Sequence, residues 1–158
     1  MNRGPLSVVV RAGVALFGVM WLWAAASKAA GPEDAYEFTA RLVGGGDPAK
    51  AVLVLWAALE AGLGAAMLFG AMRPLRACIA TAAGLAGATA ALLVVKHQWG
   101  GSVRCGCMAL LADGSVDAGI TRNIWFLAAV VVLGGLAFVS DRRDRGAPAD
   151  SGPGTPTP

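Results

Sequence analysis

Residues Ala51–Met72 read AVLVLWAALEAGLGAAMLFGAM, twenty-two positions of which only Glu60 is charged. A helix of about 20 apolar residues is what it takes to cross a hydrocarbon core of roughly 30 Å, so this stretch predicts a transmembrane span. Glu60 falls near its middle. A carboxylate at that depth is costly, so it must be protonated, paired or turned toward a polar interior, and it is a functional candidate by default. Leu53, Trp56, Leu63, Gly64 and Met67 share its face at helical spacing, and Gly64 would let a second helix approach closely.

The same pattern recurs on both sides of this segment. Val8 to about Ala26 predicts a span before it, and Ala77–Val95 and Ile124 to about Ser140 predict two after it. Arg11 and Lys28 flank the first span where long basic side chains can snorkel to an interface. A cleavable signal peptide is the rival reading of that span, because Arg3 and Arg11 precede an apolar stretch closed by Ala24-Ala25-Ala26. Composition supports membrane residence. Of 158 residues 56% are hydrophobic and 15% charged, against about 25% charged in soluble domains. Global disorder and a disulfide-dense secreted module are both excluded by these figures and by a count of three cysteines. The expected fold is an all-α integral membrane four-helix bundle over residues 1–140.

The connections carry the polar residues. Ser27 to Lys50 is acidic, with a Gly44-Gly45-Gly46 break and Pro48 before the second span; Arg73-Pro74-Leu75-Arg76 is a tight turn; Lys96 to Asn123 contains His97, Arg104, Cys105 and Cys107. Residues 141–158, rich in Gly, Pro, Ser and Thr beyond an initial charged run, predict a disordered cytoplasmic tail. Four spans put both termini on one side. The segments on that side hold seven basic residues close to the membrane, whereas the opposite side has six basic residues offset by six acids. Positive-inside bias therefore predicts termini in the cytoplasm and the cysteine-bearing loop outside, in a bacterial cytoplasmic membrane. The net charge of +3 thus reports topology and not a nucleic-acid partner.

Cys105-Gly106-Cys107 is the sharpest local motif. Two thiols one glycine apart can close a small, strained disulfide, and such bonds tend to be labile and exchange-active. Arg104 beside them would stabilise a thiolate. An inert structural clip is the plain alternative, and a soft-metal site that adds His97 is a weaker one, since three ligands lack the paired spacing of a structural zinc site. Cys78 reads as a small packing residue. Lys28 and Arg122 are the candidate partners for Glu60, and Arg122-Asn123 can alternatively cap the fourth helix. Trp99 and Trp125 stand at span ends, where interfacial aromatic belts are expected.

These residues together resemble the methylamine-utilisation MauE family within the DoxX-like group of four-helix membrane proteins. The resemblance covers about residues 8–140. It rests on Ser27-Lys28 closing the first span, Leu59-Glu60 before a glycine-rich stretch, Arg104-Cys105-Gly106-Cys107 after the third span and Arg122-Asn123 opening the fourth. It implies an accessory to maturation of the disulfide-rich methylamine dehydrogenase light subunit, acting by disulfide formation or electron transfer. Carried onto this chain, it makes Cys105 and Cys107 the redox pair and Lys28, Glu60, Arg122 and Asn123 a polar constellation near the outer face. The expected partners are the bilayer and an extracytoplasmic client with thiols; a quinone is a candidate electron acceptor. Two departures bear on the client: Met108-Ala109 follows the cysteines where the family usually has Phe-Gly, and the proline often found just before the glutamate is absent. The rival function classes are a non-enzymatic assembly factor and a small metal- or ion-handling protein.

Overall fold

Proline marks the start of each of the first four helices, as suits a residue whose missing N–H costs nothing in the first turn. The structure, a computed structural model, describes residues 5–100 and 115–146. Its helices are α1 (Pro5–Ala30), α2 (Pro32–Val43), α3 (Asp47–Leu68), α4 (Pro74–Trp99) and α5 (Val116–Gly146). Four of them, all but α2, are long and apolar enough to cross a membrane, which makes the chain an all-α multi-pass membrane protein. Their outward faces agree with this. Leu16, Val54, Leu55, Leu59, Ile79, Val131 and Val132 are each at least 60% exposed, a surface that water would penalise and lipid would not.

Three spans run beyond their predicted bounds at both ends, because polar residues are tolerated where a helix leaves the hydrocarbon, whereas α3 starts earlier than predicted and ends at Leu68, four residues short of Met72. The last extends furthest. It continues through residues 141–146, into the stretch predicted as tail. The larger correction concerns Ser27–Lys50. Read from the sequence as a polar connection, it contains α2, whose twelve residues are too few for any search based on spanning length. The local signals were nevertheless present: Pro32 opens it, Glu33 and Asp34 occupy its first turn and Arg41 its last, matching the helix dipole. Ala35, Phe38, Thr39 and Leu42 recur at helical spacing, and they form its inward face.

Helix α1 is central, touching all four others. It packs along α3, while α4 packs along α5. The tightest approach is at Gly18 and Gly64: a Cβ added to Gly64 would lie 2.7 Å from the Gly18 carbonyl oxygen. The main core gathers Val10, Val14, Trp21, Met67, Leu85 and Leu133. Cys78 is buried in it as a free thiol. A smaller core lies at the opposite end of the bundle from the α3–α4 turn, where Phe38 of α2 meets Leu92, Val95 and Val116. Helix α2 therefore spans the ends of α3 and α4. The Tyr36 hydroxyl accepts a hydrogen bond from the Gly46 amide at 2.9 Å, and the Arg41 guanidinium lies 4.6 Å from the Trp99 ring centroid.

Candidate functional site

Side chains on a helix lean toward its N-terminus, and this sets the direction taken by Lys28. Two residues from the end of α1, it does not snorkel outward to the interface as its position suggested. It is 5% exposed and turns back into the bundle, with its Nζ 3.4 Å from the carbonyl of Ala24 one turn earlier. There it donates to both oxygens of Glu60, at 2.8 Å to Oε1 and 2.6 Å to Oε2. Glu60 is 6% exposed. The preceding residue, Ser27, is also buried, and its Oγ is the one fully buried side-chain polar atom without a hydrogen bond among the described residues.

The other candidate partner stands nearby without joining the pair. Arg122 and Asn123, near the start of α5, line a cavity of about 40 Å³ together with Trp21, Trp56, Glu60 and Phe126. Asn123 is 8% exposed, and among the described residues neither it nor Arg122 has a hydrogen bond or ion pair. One small space is thereby lined by Glu60 from α3 and by Arg122 and Asn123 from α5, with Lys28 of α1 bonded to Glu60. Arg122 adds a guanidinium beside the Lys28–Glu60 pair. The space is large enough for water or one small polar group.

Trp21, one of the five tryptophans of the chain, helps build this site. Its Nε1 donates to Thr81 Oγ1 at 3.3 Å, and Thr81 in turn reaches Met67 Sδ at 3.8 Å. The bond fixes the indole of α1 across the bundle against α4, where Gly84 leaves room for the ring: a Cβ there would be 2.9 Å from Trp21 Cη2. Thr81, a small polar residue on an apolar helix, is the sequence signal for this bond.

Arg104, Cys105 and Cys107 lie outside the described residues. His97 is exposed in the last turn of α4, and among the described residues no group of three potential ligands could hold a metal. Lys96 of α4 pairs with Asp117 of α5, so both flanks of residues 101–114 meet at the bundle end that carries α2.

This arrangement of spans and polar residues coincides with a family match. The family model of methylamine utilisation protein MauE covers residues 6–138. The chain belongs to the MauE family. It is thus a membrane protein related to methylamine utilisation. No curated protein and no solved structure matches it.

Proposed function

We propose that this MauE-family chain is a membrane thiol–disulfide carrier that supports disulfide formation in an extracytoplasmic client, of which the methylamine dehydrogenase light subunit is the family-suggested example. One observation carries this reading: both flanks of the cysteine-bearing segment stand at the bundle end toward which Lys28, Glu60, Arg122 and Asn123 are gathered. A client thiolate attacks the Cys105–Cys107 disulfide, a mixed disulfide forms, and the second client thiol displaces it. The client gains one disulfide and Cys105 and Cys107 become thiols. Arg104 stabilises the thiolate that leaves. Renewal of the pair passes two electrons and two protons to an acceptor in the membrane.

The test is alkylation of intact cells with a membrane-impermeant thiol reagent, with and without prior reduction, followed by mass analysis of the loop peptide. The expected result is labelling of Cys105 and Cys107 on intact cells only after mild reduction. Labelling confined to broken cells overturns the extracytoplasmic orientation. A bond that resists mild reduction assigns the cysteines to a structural clip.

A further inference from the structure

Helices α3 and α4 are joined by a tight turn, yet beyond it they scarcely touch. They splay apart toward the end covered by α2, and the gap is a groove of about 440 Å³, within the range of small-molecule sites. Leu55 and Leu59 of α3 form one wall, Gly87, Ala88 and Ala91 of α4 form the other, and Trp21 of α1 is the floor. Leu55 and Leu59 are mostly exposed, so the groove opens sideways toward lipid and not toward water. Trp21, Trp56, Glu60 and Ala88 line both this groove and the small polar cavity. The two spaces share these walls and lie side by side. An apolar slot open to the bilayer thus shares two indoles with the cavity lined by Arg122 and Asn123, neither of which is hydrogen-bonded to another described residue and the second of which is more than nine-tenths buried.

We propose that the groove and cavity form a binding site for an isoprenoid quinone, with its ring between Trp21 and Trp56, a carbonyl oxygen toward Arg122 and Asn123, and its tail between α3 and α4. The chemistry selects this ligand from other tailed molecules. A flat ring suits a slot flanked by indoles. A neutral head with carbonyl oxygens uses the vacant donors without bringing a charge into the membrane. Its reduction consumes two protons, and Lys28 and Glu60 are the proton-bearing pair beside it. This deepens the function proposed above, because a quinone becoming quinol takes up the two electrons and two protons released when two thiols join as a disulfide. The binding itself does not depend on the cysteines.

The experiment titrates the purified full-length protein in lipid nanodiscs with decyl-benzoquinone, read by quenching of tryptophan fluorescence. Saturable quenching is expected. Gly87→Leu should weaken binding by about tenfold or more by filling the slot, and Arg122→Gln by about tenfold, as for loss of one hydrogen bond to a charged group. Space around Gly87 is open, with no atom within 4 Å of an added Cβ, so the variant should fold. The Cys105→Ser/Cys107→Ser double variant should also bind as wild type and thereby separates this site from the thiol chemistry. Non-saturable quenching, equal binding by Gly87→Leu, or displacement of the quinone by an equal concentration of decanoate would each overturn the proposal.

Discussion

The α1–α3 seam and the α3–α4 gap use the same residue types to opposite effect. Both are lined with glycine and alanine. At the first, Gly18 and Gly64 bring two backbones nearly into contact; at the second, Gly87 meets nothing. Small residues permit close approach in lipid but do not compel it. What distinguishes the two is what else crosses the boundary. The α1–α3 seam is bridged by Lys28 and Glu60 deep in the bundle, whereas the link from α4 to α3 is the weak Thr81–Met67 contact. Helix α2 then spans the open end, held to the start of α3 by Tyr36 and to the end of α4 by Arg41. The wedge is thereby covered without being closed.

Substitutions can break this contrast directly. The largest effect is expected for Gly64→Leu, whose side chain would collide with the backbone of α1; it should cost about 3 kcal/mol or more and prevent recovery of folded protein, measured by thermal unfolding in detergent. Next is Lys28→Met, which strands Glu60 in the bundle and should cost about 3 kcal/mol, as for removal of one partner of a buried pair. Glu60→Leu should do the same to Lys28, and the double variant should regain most of the loss; a double variant as unstable as the sum of the singles would show that the pair does not act as a unit. Glu60→Gln, which keeps a hydrogen-bond acceptor, should fold better than Glu60→Leu. A smaller change is expected for Trp21→Phe, about 1 kcal/mol for the bond to Thr81. Smallest is Gly87→Leu. With no atom to strike and a better helix former in place, its melting temperature should stay at or slightly above that of wild type. Destabilisation by Gly87→Leu comparable to that by Gly64→Leu would mean that the gap is closed in the membrane.

Apolar run length alone made the four spans legible, since lipid imposes it on each helix separately. The polar cluster was legible in part. Glu60 declared itself by depth, and Lys28 and Arg122 were the two basic residues within reach; only three-dimensional packing decides that one pairs and the other faces a cavity. The inward turn of Lys28 was hidden because snorkelling and back-folding place the same residue at the same helix end. Gly64 announced a close approach, but its partner Gly18 did not, because nothing in a sequence states which helices become neighbours. For the same reason the groove could not be read: a gap is a property of two helices that fail to meet. Helix α2 was overlooked on length, although its end signals and apolar period were written in the chain.

The inward-facing lysine also ties the order of synthesis to the order of assembly. Lys28 leaves the ribosome 32 residues ahead of Glu60, so α1 emerges before its counter-charge does. Two residues from the helix end, the ammonium can wait among the headgroups and swing inward once α3 arrives, a flexibility that a lysine placed at mid-helix would lack. The ion pair is then a latch that closes only once the first and second crossings lie side by side.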